Sequence, residues 1–227
     1  MHGVVYGALK EAMKLEMIHR NIADFVKPEA KRSALNTKAS TAWTAEEAAT
    51  FLAFSKADRF YPIFYLCLSL GLRRGEVLGL RWSNLDLGDG YMKIEETITT
   101  VDGKTIEGKP KTEKSRRALK LSGDVVALLE AHKQQQTLEH QSLSLKPIKD
   151  WVFTSLAGTP VNPAQVAGVL NRIAKEAGIR RVRVHDLRHT YTSLARRQGV
   201  NLEVLSSRLG HSRSSFTANV YRHTFWK

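Results

Sequence analysis

The sequence predicts a mainly α fold carrying one small antiparallel β-sheet, an α+β class, and three observations predict it. Apolar residues recur at three- and four-residue steps over most of residues 44–82 and 124–210, the period of helices with one buried side. Residues 86–121, DLGDGYMKIEETITTVDGKTIEGKPKTEKSRRALKL, break that period into alternating runs separated by Asp89-Gly90 and Asp102-Gly103, which are turn pairs, so two or three antiparallel strands are expected there. Gly178, Gly199 and Gly210 each fall where a helical pattern stops, as residues that reach the left-handed conformation without a Cβ clash do.

Taken in order, residues 4–18, VVYGALKEAMKLEMI, read as an amphipathic helix with Val5, Leu9, Met13 and Met17 in one row. Residues 1–26 read as detached from the rest of the chain, because 27–41 are polar, basic and aperiodic, which is linker chemistry. The main domain is then 42–227. Thr44 and Glu47 form a capping-box pattern that starts a helix running to about Ser55. Helical patterns continue through FYPIFYLCLSLGL and RRGEVLGLRW, then the strands intervene. A helix over 124–135, a polar loop and a short strand at WVFTS come next; Asn162 caps another helix with Pro163 in its first turn, and the rest is helical.

Charge narrows the partner. The chain has 35 Lys plus Arg against 22 Asp plus Glu, a net +13 and a pI near 10, concentrated in KPEAKR, KPKTEKSRR, IRRVR and ARR. Several positive patches rather than one tail predict a polyanion as partner. No apolar run approaches the roughly 20 residues of a membrane span, and the first residues lack the pattern of a signal peptide. The single Cys67 makes no internal disulfide and reads as a small buried hydrophobe, so a reducing, cytoplasmic setting is expected.

The stretch RVHDLRHTYTSLARRQG, residues 183–199, raises the chemical question. On a helix His185, Arg188, His189 and Thr192 fall within about 100° of one another, with Leu187, Tyr191 and Leu194 opposite. His-Asp-x-x-His is one conservative step from the zinc-protease pattern His-Glu-x-x-His, whose histidines bind metal and whose carboxylate is the general base. Arg188 would set a fixed cation beside that metal, whereas a phosphate welcomes both histidine and arginine. Histidines satisfied by backbone groups at a helix start are the plain alternative. Elsewhere GLRRGEVLGLRW sets Arg73 and Glu76 at i and i+3, so a carboxylate can hold that guanidinium while Arg74 points about 100° away. GKPKTEKSRRALKL offers several lysines, and LGHSRSSFTANVYRH places His211 after a helix-ending glycine, followed by Tyr221.

The order Arg, Lys, His-x-x-Arg, Leu-Gly-His, Tyr over residues 40–223 resembles the tyrosine recombinases, the phage-integrase family, with each motif weak singly and the set in order strong. The resemblance implies a catalytic-domain fold of that type and a site-specific recombinase that cleaves and rejoins double-stranded DNA through a 3′-phosphotyrosine. It assigns Arg73 and Arg188 as phosphate clamps, Glu76 as the support of Arg73, and Lys111 as the hairpin lysine. Lys109 and Lys114 are neighbours that could replace Lys111. His185 and His211 take the histidine positions and Tyr221 that of the nucleophile. No metal and no cofactor is expected, since the broken bond's energy stays in the covalent link. It also implies a tetramer on recombining DNA, a monomer when free, and residues 1–26 as the remnant of an N-terminal core-binding domain, with the chain short at both ends. A type IB topoisomerase, a DNA-binding module that does not cut and a zinc hydrolase are the competing readings.

Overall fold

The computed structural model describes residues 2–25, 42–101, 104–108, 116–144 and 150–210. The chain forms two compact units, residues 1–40 and 41–227. The expected linker, 27–41, lies outside the described residues.

In the first unit, α1 spans His2–Lys14. The predicted helix to residue 18 ends four residues early, because Glu16 takes a left-handed φ of 56° and the chain folds back. Asn21 then caps a 3-10 turn, accepting from the Ala23 N–H at 3.0 Å and donating to the Tyr6 carbonyl at 3.3 Å. Val5, Met13 and Met17, predicted to share an apolar row, are exposed.

The second unit is built from α2 (Ala45–Ser55), α3 (Tyr61–Leu70), α4 (Arg74–Leu78), β1 (Leu85–Asp86), β2 (Tyr91–Ile94), β3 (Thr97–Val101), β4 (Lys104–Gly108), β5 (Arg117–Lys120), α5 (Gly123–Ser142), α6 (Pro163–Glu176), α7 (Val184–Arg197) and α8 (Leu202–Leu209). The caps are those the sequence predicts. Thr44 and Glu47 exchange bonds at 3.1 and 2.7 Å, and the Asn162 side chain accepts from Ala164 N–H at 2.8 Å, caps worth about 1 kcal/mol each. Gly178, Gly199 and Gly210 all have φ between 66° and 78°. The core is helical: Trp43 lies 4.8 Å from Phe51, which meets Phe64 edge-on at 5.1 Å, and α3 packs along α7. Cys67 is fully buried, and burial, then Glu76, push its thiol up to about 12, so it is an inert core residue.

Three expectations are corrected. The strands form two sheets, not one: β1-β2-β5, with Leu85 opposite Met92 and Met92 opposite Leu119, and a separate β3–β4 hairpin with Thr97 opposite Gly108. Both edges of β2 are taken, so β3 lies instead on α4, so closely that a Cβ on Gly75 would sit 2.8 Å from the Ile98 carbonyl oxygen, and one on Gly79 2.7 Å from that of Glu96. Asp102 and Gly103 lie outside the described residues. The helix expected over 124–135 continues to Ser142, because Gln136 is buried and donates to the carbonyls of Trp151 and Val152 at 3.1 and 3.0 Å. WVFTS is no strand. Trp151, Val152 and Phe153 are buried consecutively, with single bridges from Trp151 to Arg81 and from Thr154 to Pro160.

Candidate active site

The site begins where α3 stops. Gly71 ends that helix at φ 65°, and a Cβ there would meet the Tyr191 ring at 2.3 Å, so glycine alone fits. Two residues on, Arg73 precedes α4 with extended backbone and closes a ring with Glu76: its N–H donates to Oε2 at 3.0 Å and its Nη1 to Oε1 at 2.6 Å. The i, i+3 spacing read from the sequence thus becomes one half of a capping box, the Glu76 carboxylate accepting from the Arg73 N–H, as well as an ion pair. Arg74 does point elsewhere, donating to the Pro163 carbonyl at 3.4 Å.

Glu76 is 1% exposed and holds a second guanidinium, Arg117 from β5, which donates from Nη1 to Oε1 at 3.1 Å and from Nη2 to Oε2 at 2.8 Å. Burial would raise the Glu76 pKa, but hydrogen bonds and charge from Arg117, then the bonds from Arg73, outweigh it and hold the carboxyl below its usual 4.5.

Arg188 comes from α7 and is 4% exposed. Its Nη1 donates to the Gly71 carbonyl at 2.9 Å and its Nη2 to the Leu209 carbonyl at 2.6 Å. Arg73 Nη1 reaches the same Leu209 oxygen at 3.3 Å, and Arg117 Nε donates to the preceding carbonyl, Arg208, at 2.6 Å. The last carbonyls of a helix lack intrahelical donors and carry partial negative charge, so the end of α8 is held by three cations. Burial, then the nearby Arg73, lower the Arg188 pKa to about 10, which leaves it charged at neutral pH.

The helical wheel set His185, Arg188, His189 and Thr192 on one polar side; the structure divides them. His185 and His189 are exposed, with rings edge to face at 4.9 Å, whereas Arg188 turns inward and Thr192 bonds the Arg188 carbonyl at 2.8 Å. Burial first, then His189 and Arg188, push the His185 pKa below 6.5, against a weaker pull from Asp186. Asp186, which the zinc reading would use as general base, is 3% exposed and caps α7 instead, accepting from the Arg183 N–H at 2.9 Å and its guanidinium at 3.0 Å. Among the described residues no three His, Cys, Asp or Glu side chains are grouped to hold a metal.

Of the residues singled out in the sequence, Arg73, Glu76, His185 and Arg188 come together, with Arg73 and Arg188 both acting electrostatically on His185. Lys111, His211 and Tyr221, with Lys109 and Lys114, lie outside the described residues. Arg117 was missed as a site residue. A signal existed: in β5 it shares the inward strand face with buried Leu119, and a charge at such a position requires a buried partner.

Residues 42–226 match the phage integrase family. The chain is 32% identical over 185 residues to a tyrosine recombinase XerC-like protein of Caldanaerobacter subterraneus subsp. tengcongensis, covering 76% of this chain and 47% of that protein. It is 28% identical over 219 residues to the ICEBs1 integrase of Bacillus subtilis, covering 94% of this chain and 58% of that one. The chain therefore spans about half the length of the curated relatives it matches. In fold it is similar to the Tn1549 transposon integrase in complex with transposon right end DNA, with a TM-score of 0.75 at 20% identity over 92% of this chain and 69% of that one. A lambda integrase tetramer bound to a Holliday junction is similar at TM-score 0.59 and 18% identity, over 94% of this chain and 56% of that one. With the motif order, the mainly helical fold and the match over residues 42–226 in agreement, the chain belongs to the phage integrase family, the tyrosine recombinases.

Proposed function

We propose that this chain carries the catalytic domain of a site-specific DNA recombinase, which cleaves and rejoins double-stranded DNA through a 3′-phosphotyrosine. The observation that carries the reading is the convergence of two guanidinium groups, Arg73 and Arg188, on one oxygen atom, the Leu209 carbonyl, at 3.3 and 2.6 Å. A nonbridging phosphoryl oxygen is a stronger acceptor of the same donors, and the charge it gains as phosphorus is attacked is what two permanently protonated groups stabilise.

The remaining roles are those the family resemblance assigns, and the chemistry of the residues suits them. Tyr221 Oη attacks phosphorus and the bond to the 5′ oxygen breaks. The tyrosine proton passes to His185, whose lowered pKa keeps it neutral and able to accept at neutral pH. Lys111 gives a proton to the departing 5′ oxygen, and His211 donates a hydrogen bond to the phosphate. Rejoining is the reverse with a new 5′ hydroxyl, and no step consumes ATP or calls for a metal's charge. Residues 1–26 belong to a core-binding domain, 27–41 are the linker to it and 42–227 the catalytic domain; four chains assemble on recombining DNA, the free chain is a monomer, and the work is done in the cytoplasm. The solved relatives are bound to transposon ends and to a Holliday junction, and the net charge of +13 suits the same class of ligand.

The test is covalent capture. Nicked suicide duplexes carrying the recognition site of the surrounding mobile element should become joined to Tyr221 through a 3′-phosphate. Tyr221→Phe should abolish the adduct and leave DNA binding intact; an undiminished adduct removes Tyr221 from the role.

A further inference from the structure

We propose that Arg117 is a positioning residue of this site: it fills the acceptors of Glu76 so that Arg73 keeps donors for the phosphate, and it fixes the end of α8 from which the chain runs on to His211. The inference rests on the reading of Arg73 and Arg188 as the phosphate clamp.

The hydrogen-bond count around Glu76 makes the case. A carboxylate accepts about four hydrogen bonds, two per oxygen. Here Oε1 takes Arg73 Nη1 and Arg117 Nη1, and Oε2 takes the Arg73 N–H and Arg117 Nη2, so the group is saturated. Without Arg117 the buried carboxylate would have two empty acceptor sites, and Arg73, already paired with it through its N–H and Nη1, has further N–H groups to turn toward them. A fork-to-fork pair between Glu76 and Arg73 would then form, strong and planar, and would turn the guanidinium away from the oxygen it shares with Arg188.

Arg117 also holds the other side of that oxygen. Its Nε donates to the Arg208 carbonyl at 2.6 Å, and Arg208 Nη2 donates back to the Lys120 carbonyl of the same strand at 3.3 Å, so β5 and the end of α8 are tied in both directions. Leu209, the next residue, supplies the oxygen on which Arg73 and Arg188 converge, and Gly210 closes the helix at φ 67°. Arg117 is not a third phosphate ligand: all three of its guanidinium nitrogens are engaged and its side chain is 8% exposed. A single substitution on β5 therefore reaches both the arginine pair and the end of α8.

The experiment compares the 227-residue chain with Arg117→Ala, Arg117→Lys and Arg73→Ala on two suicide duplexes, one ordinary and one with a methylphosphonate at the scissile position, which removes a nonbridging charge. On ordinary DNA, Arg117→Ala should slow adduct formation on the order of 10–100-fold, the scale of losing a group that orients a site's ligands, with DNA affinity unchanged. Its defect should shrink on the methylphosphonate, as that of Arg73→Ala does, and the double variant should be no slower than Arg73→Ala. Arg117→Lys, with one point charge in place of a fork, should fall between wild type and Arg117→Ala. Equal defects on both duplexes, or defects that multiply with Arg73→Ala, would reduce Arg117 to general structural support and overturn the proposal. If Arg117→Ala melts at the assay temperature, the two-duplex comparison on Arg117→Lys decides. A wild-type chain that forms no Tyr221 adduct refutes the recombinase reading itself; a wild-type adduct matched by both Arg117 variants refutes only this inference.

Discussion

The arginine cluster around Glu76 and the β3–β4 hairpin both rest on α4, and they are built in opposite ways. In the cluster Glu76, Arg188 and the Arg117 side chain are each less than a tenth exposed, and every guanidinium has two or more fixed acceptors. In the hairpin Ile98 is buried while the rest of β3 and all of β4 face solvent wholly or in part. Arg81 ties its base through Glu96 at 2.7 Å and Glu107 at 3.6 Å, and the ladder from Thr97–Gly108 to Val101–Lys104 does the rest. The difference suits the roles proposed for the two regions. Stabilising charge on a phosphoryl oxygen works only if donors are already in place, since reorientation during the reaction costs what the interaction would gain. The proposed proton donor, Lys111, follows β4 in sequence and would need only to arrive within hydrogen-bond reach of a leaving oxygen.

Three changes would break or sharpen this contrast. The largest effect is expected from Arg188→Ala, which should lower cleavage by roughly 10³–10⁵, the range for an arginine on a phosphoryl transition state. Single-turnover cleavage measures it, and a loss below tenfold would mean that the Gly71 and Leu209 carbonyls, not phosphate, are its partners. Next is Lys111→Ala, expected to slow cleavage by about 10²–10⁴ while leaving the melting temperature unchanged. A substrate whose leaving oxygen is sulfur should recover much of that rate but not the rate of Arg188→Ala, because a thiol departs without prior protonation. Recovery for Lys109→Ala or Lys114→Ala instead would move the acid to that neighbour.

The smallest of the three is a stability effect with a defined pH sign. Glu76→Gln should cost about 1.5–3 kcal/mol at pH 7, the range for hydrogen bonds to charged groups. Because the folded-state pKa of Glu76 lies below its ordinary 4.5, the stabilisation from its charge is fully present above that value and is lost as pH falls through the folded pKa. Denaturant melts at descending pH should therefore show the gap between wild type and Glu76→Gln narrowing below about pH 4.5, the unfolded reference. A constant gap would assign the cost to shape instead of charge.

Features confined to a turn or two of chain were legible in the sequence. The caps at Thr44 and Asn162, the stops at Gly178, Gly199 and Gly210, and the Arg73–Glu76 pair at i, i+3 all depend on neighbours within about four residues, and local backbone geometry alone brings those groups within reach. The order of motifs likewise named the family. What tertiary structure decided is every relation that crosses the chain. Arg117 finds Glu76 from 41 residues away, and Arg188 leaves the polar side of α7 for carbonyls on two other elements. Strand β3 packs on α4, where Gly75 and Gly79 admit its backbone, and α5 runs on to Ser142 because Gln136 has carbonyls of the 151–152 segment to satisfy. A local pattern states which side of an element is apolar, but not which buried acceptor an inward charge will meet. That is set by the requirement that every polar group removed from water find a partner, and in this fold those partners lie on other elements.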